Sequence, residues 1–220
     1  MRYDVLYQPE ERGARLKGPH PHRLRAILAQ IALLATLLCP RAAAGQEMST
    51  PIDIQLPLMS RILMFDRANV DRAGEETVVG VLYQERFRAS TRARDDVVET
   101  IRSQGITEFG GSPLRLVLIE AEDDPVLLAT RILETGVDLL YVTPLRAFDL
   151  DTITDIGRQL QVLTVTGVPG YVSNGIAVGV DSRGGRPQIL INRGAARDQG
   201  ADFSSELLKL AEIVGPELRR

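Results

Sequence analysis

The sequence contains no tryptophan, and only 5% of its 220 residues are aromatic. It has one cysteine and two histidines, and all three (Cys39, His20 and His22) fall within the first 44 residues. Beyond residue 44 there is neither thiol nor imidazole. That excludes a Ser-His-Asp triad, a thiolate nucleophile, a disulfide, haem ligation by His and the usual zinc ligands. An excess of positive charge is lacking as well. The formal net charge is −3 overall, and beyond residue 44 it is −7, with 19 Lys/Arg against 26 Asp/Glu. Nucleic-acid binders usually show the opposite balance, so no nucleic acid is expected as a partner.

Long apolar runs are equally scarce. The one that stands out, Ala26 to Leu38, is interrupted by Gln30 and Thr36. As a helix it would span about 20 Å, short of the roughly 30 Å hydrocarbon core of a bilayer. Arg23 and Arg25 precede it, and Pro40-Arg41-Ala42-Ala43-Ala44-Gly45 follows. A basic start, a short apolar stretch and a small-residue exit are the parts of a secretory signal peptide. Residues 1–44 are read as that signal, with cleavage after Ala44 or, alternatively, after Gly45. Leu38 stands where a lipoprotein signal needs a small residue, so Cys39 is not read as a lipid attachment site. The expected product is a periplasmic domain over residues 45–220.

What remains is patterned. Leu58, Met59, Ile62, Leu63 and Phe65 keep helical spacing behind Pro57, predicting a first helix from there to about Ala68. Apolar strands are predicted at Thr77–Tyr83, Leu114–Ile119, Asp138–Thr143 and Gln161–Thr166. Between them lie helices at Ala89–Gln104, at Pro125–Thr135 capped by Asp124, and at Ala147–Leu160. Alternation of this kind indicates right-handed βαβ units, a mostly parallel sheet and a three-layer α/β domain. Gly175–Asp181 and Pro187–Ile191 flank a glycine-rich connection and predict a β-hairpin near the C-terminus. Asn192 is expected to cap a short helix, and Phe203–Val214 to form a last helix burying Leu207, Leu208, Leu210 and Ala211.

The C-terminal block runs Arg186-Pro187-Gln188-Ile189-Leu190-Ile191-Asn192, then Ala195-Ala196, Gly200 and Phe203-Ser204-Ser205-Glu206-Leu207-Leu208-Lys209-Leu210-Ala211. It resembles the ending of the YfiR-like family of exported bacterial proteins. An early helix (Leu58 to Asp66), Val79-Gly80-Val81-Leu82, Asp138 to Val142 and Val162 to Val165 extend the likeness over most of residues 55–214. The resemblance implies a fold similar to one lobe of a periplasmic binding protein. It also implies a regulator that represses a membrane-bound signalling partner, a diguanylate cyclase in the namesake. Two features depart from better-known members. Their first helix is rich in aromatics and ends in Trp-Pro, whereas here Leu58 to Phe65 is followed by Asp66-Arg67. They carry paired cysteines, so a redox role does not transfer.

Candidate sites follow from the topology. Ligands of open parallel sheets sit beyond the carboxyl ends of the strands. Tyr83, Thr143 and Thr166 lie there, with Ser90 at the start of the next helix, and Arg186 offers a guanidinium fork for a carboxylate or phosphate. Ser90 and Thr91 are equally read as helix caps, and Arg186 as one half of a surface ion pair. Phe65 and Arg67, beside Met64, are the candidate partner contacts, since aromatic, Met and Arg side chains are enriched at interface centres. Packing of Phe65 on the sheet explains its spacing as well. The acidic pairs Asp95-Asp96 and Asp123-Asp124 have no spacing that aims two carboxylates into one cleft, and no metal, cofactor or catalytic residue is expected. The leading expectation is a regulatory binding protein, and the alternative is a solute-binding lobe of a transport or sensing system.

Overall fold

The computed structural model describes residues 47–215 apart from Val70, Asp71 and Ala73. The expected signal peptide lies outside the described residues. Eight strands form a single sheet. They are β1 (Thr77–Tyr83), β2 (Glu108–Phe109), β3 (Ser112–Glu120), β4 (Leu139–Val142), β5 (Leu163–Thr166), β6 (Val178–Arg183), β7 (Arg186–Asn192) and β8 (Glu212–Val214). Their spatial order is β2-β3-β1-β4-β5-β6-β7-β8. From β3 to β6 every neighbouring pair is parallel, whereas β2 and β7 run antiparallel to their neighbours β3 and β6. The expected α/β class and C-terminal hairpin are present.

Alternation along the central strands sorts the core into two layers. Val79 and Val81 of β1, with Leu139 and Tyr141 of β4, face one side. There they meet α1 (Ile52–Leu63), α2 (Arg88–Ser103), α6 (Arg193–Asp198) and α7 (Ser205–Leu210). Val78, Leu82, Leu140 and Val142 face the other side, against α3 (Pro125–Thr135), α4 (Leu150–Leu160) and α5 (Pro169–Ser173). Gly80 lies on that second side, where a Cβ would come within 2.9 Å of Val137. A bare backbone at this point lets the residue leading into β4 pack directly on β1.

Several local readings hold in detail. The Asp124 side chain accepts from Val126 N and Leu127 N, Pro125 takes the first helical position, and Gly136 closes α3 in the left-handed region at φ 62°. Asn192 and Ser204 cap α6 and α7 through Ala195 N and Leu207 N. The hairpin turns on Gly184-Gly185, both at positive φ, as a two-residue connection between twisted strands requires.

Four readings are corrected. The first helix starts at Ile52, well upstream of Leu58, and Pro57 lies inside it. Pro57 has no N–H for the Asp53 carbonyl; Gln104 at the end of α2 donates its Nε2 to that oxygen instead, at 3.2 Å. An interior proline costs roughly 3 kcal/mol. Burying Leu56, Met59, Ile62 and Leu63, each worth about 1.5–3 kcal/mol, outweighs it. The second helix starts at Arg88, with Phe87 as its N-cap and no side-chain cap, so Ser90 and Thr91 do not cap it. The helix before β5 begins at Leu150 rather than Ala147, because Asp149 caps it and Ala147 takes a positive φ of 51°. The last helix ends at Leu210, which is 72% exposed, and Glu212–Val214 turns into β8. The edge of β7 supplies ladder partners there, pairing Leu190 with Glu212 and Asn192 with Val214.

The Pro57 compensation gives an expected outcome. Gln104→Ala should destabilise the protein by about 1 kcal/mol, the usual worth of such a hydrogen bond. In a Pro57→Ala background, where residue 57 donates again, the same change should be nearly neutral. Urea melts of the four variants measure this coupling; equal effects of Gln104→Ala in both backgrounds would refute the compensation.

Candidate functional site

The parallel strands run in the order β3-β1-β4-β5-β6, so the direction of winding reverses between β1 and β4. The carboxyl ends of those two strands therefore form the topological switch point, where open α/β sheets bind ligands. In this chain the position is filled by its own side chains. Ser90 Oγ accepts from Gln84 N at 2.8 Å and lies 2.6 Å from Thr143 Oγ1. Thr143 Oγ1 donates to the Leu82 carbonyl at 2.8 Å, so the shared proton comes from Ser90. The Gln84 amide closes over this relay, donating to the Arg146 carbonyl and accepting from Arg146 N. Next along the sheet, Thr166 Oγ1 donates to the Val142 carbonyl and accepts from Val168 N.

Ser90, Thr143 and Thr166 are fully buried, with their hydroxyls directed into the fold. Tyr83 is half-buried, and the Arg94 guanidinium stacks 4.5 Å above its ring. The hydrogen bond that Arg94 donates to Asp95 does most to raise its pKa, and contacts to Tyr83 and Glu85 add to it. Arg186 sits apart from all of these. It is exposed at the tip of the β6–β7 hairpin, opposite Arg183, three strands from β4. The structure thus brings Ser90 and Thr143 together, places Thr166 on the neighbouring strand, and leaves Tyr83 half-buried and Arg186 exposed.

A second polar knot was not foreseen from the sequence. Gln55 lies on the buried stripe of α1 between Ile52 and Leu56 and is itself fully buried. Tyr141 Oη donates to Gln55 Oε1 at 2.8 Å, and Gln55 Nε2 donates to the Thr50 carbonyl. Gly167 presents no Cβ, which leaves room for the Gln55 amide beside it. The knot pins the start of α1 to the centre of the sheet. Its signal in the sequence was a lone amide within an apolar helical face.

The other end of α1 carries the expected partner residues. Met64 and Phe65 are 67% and 41% exposed, and Arg67 is exposed as well, in a loose ion pair with Asp202 at 3.5 Å. Asp66 between them is buried. Its Oδ1 accepts from Ala68 N and Asp202 N, and its Oδ2 from Arg72 Nη1 at 3.0 Å. Arg72 also donates to the Gly200 carbonyl. Backbone bonds from Arg67 N to Asp202 O and from Ser204 N to Phe65 O complete the junction. Beside it lies a cavity of about 240 Å³ with Arg67, Arg193 and Arg197 at its mouth and Ala196, Phe203 and Leu208 among its walls. Asp202 and Ser205 line it too, and three guanidinium groups, one of them paired with Asp202, around a hollow of mixed polarity suit a small anion.

The junction draws on the same C-terminal block that carried the sequence resemblance, and the YfiR/HmsC-like family model matches residues 83–212. The chain belongs to the YfiR/HmsC-like family. Among solved structures, the fold is similar to a conserved domain protein from Vibrio cholerae, with TM-score 0.54 and 14% identity over 75% of this chain and 60% of that one. It is also similar to an ABC domain in complex with L-Trp from Streptococcus pneumonia, with TM-score 0.52 and 13% identity over 74% of this chain and 60% of that one. The chain therefore spans about 60% of the length of these two structures, and at such identity the likeness concerns the fold alone. No curated protein matches the sequence. No helix among the described residues is long and apolar enough to cross a membrane.

The buried phenols set a pH dependence. Burial pushes the Tyr141 hydroxyl far above its ordinary value of 10.0, and burial also raises Tyr171, against the effect of its hydrogen bond to Leu145. Both are raised in the fold, so their contribution to stability is complete below about pH 10 and is lost as pH rises beyond that value. Thermal melts should be flat in this respect up to about pH 10 and then fall. Tyr141→Phe should lower stability at neutral pH by about 1–3 kcal/mol, because Gln55 loses its donor, and should make the alkaline fall shallower. An unchanged alkaline slope in that variant would contradict the assignment.

Proposed function

We propose that this chain is a periplasmic regulator that binds the periplasmic part of a membrane protein and holds it inactive. The family resemblance points to a diguanylate cyclase as the partner class. One observation carries the docking surface: Met64, Phe65 and Arg67 are exposed on a turn that buried Asp66 fixes from beneath. An apolar and cationic knob on a rigid base loses little freedom on binding, which is what an interface centre needs. Export with cleavage after Ala44 belongs to this reading, because the partner surface lies outside the inner membrane.

A small ligand is the second reading, favoured by the arginine-mouthed cavity next to the knob. The site residues expected from the sequence remain a separate proposal. Tyr83 and Arg186 keep exposed polar surface, whereas a ligand reaching Ser90, Thr143 or Thr166 would have to exchange an existing hydrogen bond for a new one. A carboxylate or phosphate bound near Arg67 would sit at the edge of the partner surface and so modulate docking.

The double variant Phe65→Ala, Arg67→Ala should stay folded, both side chains being exposed, and should lose capture of the detergent-solubilised membrane partner. Deleting the gene should raise cellular cyclic di-GMP, and protein from the cell envelope should begin at Gly45 or Gln46 by mass spectrometry. Unchanged cyclic di-GMP, together with no membrane protein recovered, would remove the regulatory reading. A thermal shift with an anionic metabolite that disappears in Arg193→Ala, Arg197→Ala would support the small-ligand reading.

A further inference from the structure

Helix α3 buries only Leu128 and Ile132 against the sheet. Val126 and Leu133, one stripe of the same helix, are 74% and 65% exposed. Residues seven apart share a helical face, so this is a continuous apolar strip turned away from the core. Helix α4 follows the next strand on the same side of the sheet, and between the two helices lies a groove of about 540 Å³. The α3 wall is formed by Val126, Ala129 and Leu133, where the short Ala129 side chain deepens the channel. The α4 side adds Ile156 and Leu160 and then three carboxylates, Asp149, Asp151 and Asp155. Among the described residues, no lysine or arginine lines the groove.

The carboxylates are not equivalent. Asp149 caps α4 by accepting from Asp151 N, so part of its capacity is used within the helix. Asp155 holds Arg158 at 2.7 Å, but both side chains are more than half exposed, and such pairs are weak. Asp151 has no ion-pair partner among the described residues. The α3 wall is thus mostly apolar, and the α4 wall is acidic over its first turns and apolar at Ile156 and Leu160. A third helix lies naturally in such a channel, with its apolar stripe at i, i+3 and i+7 set against α3.

We infer that the α3–α4 groove is a docking site for an amphipathic helix of a partner protein, with aliphatic residues along one stripe and arginine or lysine along the adjoining flank. Charge complementarity selects this occupant. An acidic helix would meet Asp151 and Asp155, and a purely apolar one would leave them desolvated without a counter-charge. The site is on the opposite face of the sheet from Phe65 and Arg67, so the two surfaces do not compete and can fail independently.

The test uses the exported chain and two synthetic helical peptides that share a leucine stripe, one flanked by arginine and the other by glutamate. Fluorescence anisotropy should show binding of the arginine peptide only, weakening as salt is raised. Amide NMR shifts should be confined to residues 125–135 and 149–160. Leu133→Glu should weaken binding by about tenfold or more, the loss typical of an interface anchor. Asp151→Lys with Asp155→Lys should transfer the preference to the glutamate peptide; Asp149 is left in place because it caps α4. Leu133 is exposed, so Leu133→Glu should melt with the parent; Asp151 stands in the first turn of α4, so the double lysine variant should melt slightly lower but with the same cooperativity. Equal binding of the two peptides, shifts elsewhere on the protein or no preference switch would overturn the proposal. So would self-association of the protein that Leu133→Glu abolishes, because a second copy would then be the occupant.

Discussion

A single carboxylate decides how the two ends of the described chain meet. Asp66 is 4% exposed and would be strongly unfavourable as a bare charge at that depth. It is satisfied by two backbone amides and by Arg72, which in turn holds the Gly200 carbonyl. Every group in this set comes from the segment after α1 or from the segment between α6 and α7. If the carboxylate were removed, the guanidinium would be left buried and unpaired, and breaking such a pair typically costs about 3–5 kcal/mol. The exposed knob, the arginine-mouthed cavity and the placement of α7 all depend on this contact. It also gives a physical reason for the Asp66-Arg67 sequence that follows the first helix.

The closed switch point gives the domain a different character from a lobe that cradles solute. A crevice at the carboxyl ends of parallel strands ordinarily leaves amides and hydroxyls free for a ligand. Here the relay from Gln84 through Ser90 and Thr143 to Leu82 accounts for each donor and acceptor it contains. Arg94, stacked over Tyr83, guards the rim. A buried network with every member paired makes the local structure rigid and specific. The fold is similar to one lobe of a binding protein, but its switch point is occupied by the chain's own side chains.

The readable parts of the fold were those governed by local chemistry. The caps Asp124, Asn192 and Ser204, the Gly136 stop and the Gly184-Gly185 turn each follow from a few adjacent residues. The alternation of strands and helices gave the sheet and its class because both faces of β1, β4 and β5 are buried and therefore mostly apolar, with Thr77, Thr164 and Thr166 as buried polar exceptions. The misread parts were decided at long range. Pro57 looks like a helix start until Gln104, 47 residues later, relieves the carbonyl it leaves empty. Leu207, Leu208, Leu210 and Ala211 suit a longer helix, and only the vacant edge of β7 converts the end of that run to a strand. Gln55 and Asp66 are polar residues within or next to an apolar helix face, and their partners lie 86 and 136 residues away, in Tyr141 and Asp202. Phe65 and Arg67 could be named as exposed candidates from residue type, but the clamp that presents them could not.

The short strand β8 has a consequence for how copies of this molecule behave when crowded. Among the described residues it pairs only with Leu190 to Asn192, and no strand lies beside Arg186 to Ile189 on that side. Such an edge is a template on which another chain could extend the sheet. Pro187 interrupts it with a missing N–H, Arg186 places a charge at its start, and β8 itself is only three residues long and followed by Gly215 at φ 119°. The strand that ends the sheet is therefore also its stopper. Along this edge, protection against strand-by-strand aggregation rests on these few residues.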